Sequence, residues 1–320
     1  MKYILILSIA FITLLGCGNP STDPDRPMKP PKGFMNETLL KAAYGLGMLD
    51  LIEGDPVVPE NIEQFKDIEY KQIGDVSLQL DIYKAKDLKT PAPTMIFIHG
   101  GAWRKGKRSD YLPYLLDYAK KGYITATVSY RLVKQAPYPA AAQDVSCGIK
   151  WIKANAEQFG IDTSRIALVG GSAGGHLALL IGYGGENPLF NEECDIDVDS
   201  KVKAIVDFYG PVDLTTPYAV GTYQTQDFLN ATYDKNPEVY ESASPKTYIS
   251  SDDPPTIFFQ GTIDSLVPVS QSDSLDIWLE RAGVPRDYHR LKGWPHTMDV
   301  ARKVNEYCQF YIDRFLKEYL

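Results

Sequence analysis

Cysteine, histidine and long apolar runs are scarce in this chain of 320 residues, and its 33 Lys and Arg residues are outnumbered by 41 Asp and Glu. Its four cysteines, Cys17, Cys147, Cys194 and Cys308, are too few and too scattered for a disulfide framework, and no C-x-x-C pair points to zinc. The last three read as buried or incidental, with one disulfide open to them in an oxidising compartment. A formal net charge of −8 and the lack of any Lys/Arg run argue against a nucleic-acid partner and favour a small or neutral polymeric substrate. No apolar run reaches the roughly 20 residues that a membrane-spanning helix needs. With only four histidines, any imidazole chemistry can be assigned by elimination. What is present is 44% hydrophobic content, enough for one large α/β domain, with no low-complexity linker dividing the middle.

The segment 165–180 carries the strongest signal. A β-rich apolar run, Arg165-Ile166-Ala167-Leu168-Val169, leads into Gly170-Gly171-Ser172-Ala173-Gly174, and an Ala/Leu-rich helical run leads out. Ser172 thus sits at a strand-to-helix turn, the context that a G-x-S-x-G nucleophile elbow requires. Glycines two before and two after the serine let the backbone turn sharply, and the following helix aims its N-terminal N–H groups at the serine oxygen. A chain of this length holds about 0.1 such five-residue matches by chance. Ser172 is the candidate nucleophile.

At the amino terminus, Met1-Lys2 and the apolar run from Tyr3 to Leu15 read as a signal peptide. The run ends Leu14-Leu15-Gly16-Cys17, which resembles the lipobox of bacterial lipoproteins and implies acylation of Cys17. The organisation expected is a signal peptide over 1–16, a flexible Pro- and Asp-rich tether over 17–33 and one domain over 34–320. This resemblance implies a bacterial cell-envelope protein, lipid-anchored and facing the periplasm or the outside, that touches the membrane only through its acyl chains.

Leucines and alanines over 36–53 predict a short helix packed on the domain, ended by Pro56 and Pro59. Period-two alternation over 68–73 and 76–83, around Gly74-Asp75, predicts a β-hairpin. Continuous apolar residues over 94–98 predict a strand covered on both faces. Helix 109–121, strand 124–130, helix 140–159, strand 165–169 and helix 173–183 follow. Strands at 201–208, 256–260 and 287–291 and helices at 275–282 and 300–316 complete the pattern. Such alternation predicts an α/β fold, a mostly parallel sheet flanked by helices. Residues 211–254 lie between two of its strands and are expected to form a small cap insertion of short helices. Its tyrosines, such as Tyr218, Tyr223 and Tyr240, either pack the cap or stack on sugar or phenolic rings.

A second motif, His99-Gly100-Gly101-Ala102-Trp103, directly follows the first buried strand. A Gly-Gly turn at a strand's carboxyl end can aim free N–H groups at an oxyanion. Gly101 and Ala102 are the candidate donors, joined by Ala173 after the serine.

With both motifs, the chain resembles the α/β-hydrolase esterases and lipases related to hormone-sensitive lipase. Within that group it is most similar to bacterial carbohydrate esterases acting on acetyl or feruloyl esters of plant polysaccharides. The matching segments include Leu80-Asp81-Ile82-Tyr83, His99 to Trp103, Ser129-Tyr130-Arg131-Leu132, Gly170 to Leu180, Phe208-Tyr209-Gly210-Pro211 and Gly261 to Pro268. Ala102 stands where many lipase relatives carry a third glycine, a change that leaves backbone donation intact.

A serine nucleophile needs a base, and the base needs a carboxylate. His99 lies in the oxyanion loop, His176 is carried away on the elbow helix and His289 sits inside a strand. His296, in the loop between the last strand and the C-terminal helix, is therefore the candidate base. Asp264, in Gly261-Thr262-Ile263-Asp264, follows a buried strand and is the candidate acid; Asp207 and Asp213 compete for that role. The order Ser172, Asp264, His296 is that of the hydrolase fold. Trp103 and Trp294, beside the oxyanion loop and the base, are expected to border the substrate. Together these readings imply a serine carboxylesterase without metal or cofactor, acting on a small acyl ester or an acylated glycan. An amidase, arylformamidase or peptidase on the same fold remains an alternative, as does a non-catalytic glycan-binding relative.

Overall fold

The computed structural model of the protein describes residues 27–320; the expected signal peptide, Cys17 and the first part of the expected tether lie outside the described residues. Among the described residues, one sheet contains β1 (Ile62–Ile73), β2 (Val76–Ala85), β3 (Ala92–Ile98), β4 (Ile124–Val128), β5 (Ile161–Gly171), β6 (Ala204–Phe208), β7 (Thr256–Gly261) and β8 (Arg286–Leu291). Their spatial order is β1-β2-β4-β3-β5-β6-β7-β8. β1 and β2 form the antiparallel hairpin, β2 is antiparallel to β4, and every neighbouring pair from β4 to β8 is parallel.

The helices are α1 (Glu37–Gly45), before the first strand, α2 (Leu112–Lys120), α3 (Ala140–Ala154), α4 (Ala156–Phe159), α5 (Ala173–Gly184), α6 (Pro217–Val220), α7 (Tyr223–Leu229), α8 (Pro237–Ser242) and α9 (Ser270–Ala282), between strands, and α10 (Arg302–Tyr319), after the last. Alternate residues of each strand serve opposite faces of the sheet, as the pleat dictates. Ile96 and Ile98 of β3 join a core with α3, α5 and α9, whereas Met95 and Phe97 join a second core with α2 and α10. The parallel strands point their carboxyl ends to one edge, which puts the loops after β3, β5, β6, β7 and β8 side by side. Residues 211–254 form α6, α7, α8 and a 3-10 turn over Pro245–Tyr248.

Three expectations change. The single helix read over 140–159 is two, because Asn155 leaves helical geometry and donates its side-chain amide to the Trp151 carbonyl at 2.8 Å. Residues 27–33, read as tether, lie against the domain: Tyr311 donates to the Met28 carbonyl at 2.9 Å, Trp294 to that of Pro31 at 3.0 Å and Lys303 to that of Lys32 at 3.2 Å. Side-chain donors from the domain satisfy a backbone that has few apolar residues of its own to bury. Cys147 and Cys194, read as buried or incidental with one disulfide left open, are joined by a disulfide, which ties α3 to the segment after the 3-10 turn Pro188–Phe190; Cys308 is free and buried.

That bond closes a loop across a sequence separation of 47 and restrains the unfolded chain. Cys194→Ala should therefore cost about 2–4 kcal/mol of unfolding free energy. Urea titration of the oxidised parent against the variant checks this; equal midpoints would mean that the cysteines do not pair.

Candidate active site

The turn at Ser172 is built by close approach. Ser172 itself has φ 55° and ψ −124°, a backbone conformation that non-glycine residues rarely adopt. A Cβ on Gly170 would collide with the Gly174 carbonyl, and one on Gly174 would collide with that of Ile98, so both flanking glycines are steric requirements. The Ser172 N–H donates to the Phe208 carbonyl at 2.8 Å, and Ala173 begins α5. The serine hydroxyl is thereby held at the carboxyl edge of the sheet, at the helix's N-terminus.

Two further loops deliver the partners. His296 Nε2 lies 2.9 Å from Ser172 Oγ, and His296 Nδ1 lies 2.7 Å from Asp264 Oδ2. Asp264 is fixed on its other side: Oδ1 accepts from the N–H groups of Leu266 at 2.8 Å and Val267 at 2.9 Å, and Oδ2 also accepts from Gln260 Nε2 at 3.0 Å. Backbone bonds stitch the acid and base loops together, Thr262 N–H to Leu291 O and Ile263 N–H to Trp294 O, both at 3.1 Å. The carboxylate therefore fixes Nδ1 as the protonated nitrogen and leaves Nε2 free to accept the serine proton.

Gly101, Ala102 and Trp103 have φ of 113°, 53° and 56°, so the chain after β3 curls back on itself. Among the described residues, the N–H groups of Gly101 and Ala102 donate to no other backbone group. Both residues line the same cleft as Ser172 and His296, an open depression of about 1090 Å³. Among the described residues, no group of three or more His, Cys, Asp and Glu is placed to hold a metal ion.

The sequence pattern of the BD-FAE family matches residues 80–279. The chain belongs to the BD-FAE family. It is 34% identical to esterase LipC of Mycobacterium tuberculosis over 232 residues, 69% of this chain and 57% of that protein. It is 31% identical to esterase LipQ of the same organism over 286 residues, 86% of this chain and 66% of that protein. The chain thus spans between about half and two thirds of the length of these relatives. A thermophilic esterase from the planctomycete Thermogutta terrifontis superposes with a TM-score of 0.69 at 25% identity, covering 83% of this chain and 95% of that one. A truncated carbohydrate esterase from gut microbiota superposes at 0.66 and 24% identity, covering 82% and 98%. The fold is that of the α/β-hydrolases.

Other residues of the BD-FAE domain fall away from the chemistry. His176 is fully buried; its Nε2 donates to the Ala243 carbonyl at 2.7 Å and its Nδ1 accepts from Trp103 Nε1 at 3.3 Å, while burial lowers its pKa to about 4. It is a neutral link between α5, the oxyanion loop and the segment 211–254. His99 stacks on Tyr130 and His289 on Phe259. Asp213 pairs with Lys246 at 2.8 Å, which removes it as a competitor for the acid.

Neither tryptophan borders the cleft. Trp103 is 4% exposed and stacks on Phe228 at 4.3 Å; Trp294 is 1% exposed, packs its edge against Phe34 and binds Pro31. Each ring turns inward, where its indole N–H finds an acceptor, His176 Nδ1 for Trp103 and the Pro31 carbonyl for Trp294.

Tyr209 and Asp299 were not singled out in the sequence, yet both line the cleft. The Tyr209 ring lies 4.5 Å from that of His296, and its hydroxyl donates to Asp299, to which Tyr114 also donates at 3.4 Å. Burial pushes the Asp299 carboxyl up. The one available signal is that Tyr209 falls in Phe208-Tyr209-Gly210-Pro211, one of the segments that carry the resemblance; in the structure its φ is 46°.

Asp207 sits behind the elbow helix, fully buried; Oδ1 accepts from Gly210 N–H at 3.0 Å, and Oδ2 has no partner among the described residues. Burial pushes its carboxyl from 3.8 up to about 8. The folded protein holds this proton more tightly than the unfolded chain, so the associated stability is complete below the unfolded value and is lost as pH rises through the folded one. Asp207→Asn removes the titration and should raise stability at pH 8 by about 1–3 kcal/mol while flattening the pH dependence above pH ~4. Urea midpoints measured across that range check this, and a slope unchanged from the parent would contradict it.

Proposed function

We propose that this BD-FAE protein is a serine carboxylesterase that removes short-chain or aromatic acyl groups, acetyl or feruloyl, from oligosaccharides or polysaccharides through an acyl-enzyme. The observation that carries the reading is the continuous chain from Ser172 Oγ to His296 at 2.9 Å and from His296 to Asp264 at 2.7 Å, mounted on a strained elbow. His296 Nε2 takes the serine proton as Oγ attacks the ester carbonyl, and the Nδ1–H to Asp264 bond stabilises the imidazolium that forms. The carbonyl oxygen, now negative, is received by the N–H groups of Gly101, Ala102 and Ala173. Each such donor lowers the barrier by about 3 kcal/mol in enzymes of this type.

Collapse of the intermediate breaks the bond to the alcohol, which leaves with the proton from His296. A water molecule, deprotonated by the same imidazole, then attacks the acyl-enzyme and frees Ser172. A glycan as the leaving group is supported by the similarity of the motif set to acetyl and feruloyl carbohydrate esterases and by the open form of the cleft. The esterase names of the mycobacterial relatives support the reaction class.

Hydrolysis of p-nitrophenyl acetate by the parent, with a loss of about 10⁴-fold or more in kcat for Ser172→Ala and for His296→Ala, is the expected result. Activity that survives Ser172→Ala would refute the mechanism. Acetate and ferulate release from acetylated and feruloylated xylan then identifies the acyl group.

The Cys17 motif leads to a proposal about location: an envelope lipoprotein tethered to the membrane by acyl chains. Labelled fatty acid should enter the parent and not Cys17→Ala, and the variant should move to the soluble fraction. Equal labelling of both would overturn the anchor.

A further inference from the structure

The charge of the cleft is not used by acyl transfer. In a chain of net charge −8, the wall beyond the oxyanion loop is basic: Arg104, Lys105, Lys107 and Lys134 all line the cleft. Lys105 is bound tightly to the loop, its N–H donating to the Gly101 carbonyl at 3.2 Å. Arg104 is paired with Asp227, but the ammonium groups of Lys105, Lys107 and Lys134 are solvent-exposed and have no ion-pair partner among the described residues. The carboxylates nearby do not cancel them. Asp264 is committed to His296 and its own loop, Asp299 is buried and held by Tyr209 and Tyr114, and only Asp110 stands at the mouth, accepting from the Lys107 N–H at 3.0 Å.

An aromatic ring faces the same space. Tyr223, at the start of α7, is 61% exposed and lines the cleft, with the Arg104 guanidinium 5.2 Å from its centroid. Other tyrosines of the segment, Tyr218, Tyr240 and Tyr248, pack into the core. A short acyl group must reach Ser172 at the floor, so the larger alcohol part is what stays at the mouth, among these exposed side chains.

We propose that the mouth of the cleft is a subsite for an anionic sugar, whose ring lies on Tyr223 and whose carboxylate or sulfate sits among Lys105, Lys107 and Lys134. This rests on the esterase reading and narrows it: the substrate is an acylated acidic glycan. An exposed ring and exposed ammonium groups recognise a solvated, charged carbohydrate better than a lipid or a neutral ester.

The test compares acetylated xylo-oligosaccharides that carry a glucuronic acid branch with the same material after carboxyl reduction, and with a sulfated acetylated oligosaccharide. At low salt the parent should favour a charged substrate by about tenfold in kcat/KM, and the preference should shrink toward unity at about 0.5 M NaCl. Which anion gains the preference, carboxylate or sulfate, identifies the sugar. In the triple variant Lys105→Gln, Lys107→Gln, Lys134→Gln the ratio should fall to about one, a comparison of two substrates on one protein that partial misfolding does not alter. Equal kcat/KM for charged and neutral substrates, no release from any of them, or a preference that survives the triple variant would overturn the subsite. Turnover of p-nitrophenyl acetate in the same preparation separates that failure from failure of the esterase reading, which would abolish both.

Discussion

The backbone at Ser172 is the constraint on which the site depends. A residue held at φ 55° costs about 1–3 kcal/mol locally and persists only where its surroundings leave no alternative. Here β3, β5 and α5 meet so closely that glycines are obligatory at 170 and 174, and the Ser172 N–H is engaged by the end of β6. A relaxed turn would swing the hydroxyl away from both His296 and the oxyanion loop. The large buried core around the central strands, with Ile96, Phe97, Leu168 and Val169 essentially inaccessible, is what holds the strain in place.

The rest of the site is a set of loops locked to that edge. Asp264 is positioned by the N–H groups of Leu266 and Val267 and by Gln260, whose side-chain oxygen Oε1 in turn accepts from Ser272 of α9 at 3.1 Å. The base loop is held from behind: Trp294 is buried under residues 31–34, with the Phe34 N–H donating to the Gly293 carbonyl at 2.7 Å. Residues 31–34 therefore brace the loop that carries His296 from behind. His176 performs a similar service on the other side, joining the elbow helix to the oxyanion loop and to the segment 211–254.

What the sequence revealed follows from the range of each interaction. The strand-turn-helix around Ser172, the Gly-Gly turn at 100–101 and the alternation of strands and helices are local patterns, legible in short windows. Elimination led to His296 because histidines are few, and Asp264 followed from its place after a buried strand. Partnerships that span the chain left no such mark. Cys147 and Cys194 are 47 residues apart, Tyr209 and Asp299 are 90 apart, and nothing local announces either pair. Trp103 and Trp294 were misplaced because sequence position fixes where a side chain starts and not which way it turns. Residues 27–33 were misread for a related reason: composition records the apolar surface they can bury, not the donors that other elements offer to their carbonyls.

The central claim is that the elbow and His296 together make Ser172 the nucleophile. Intact-mass and peptide mapping after treatment with an alkyl phosphonate carrying a p-nitrophenoxide leaving group tests it directly, since only an activated hydroxyl displaces that group. The account predicts a single adduct on the peptide containing Ser172, its formation slowed by orders of magnitude in His296→Ala. An adduct on another residue, none at all, or one that forms equally fast without His296 would contradict it.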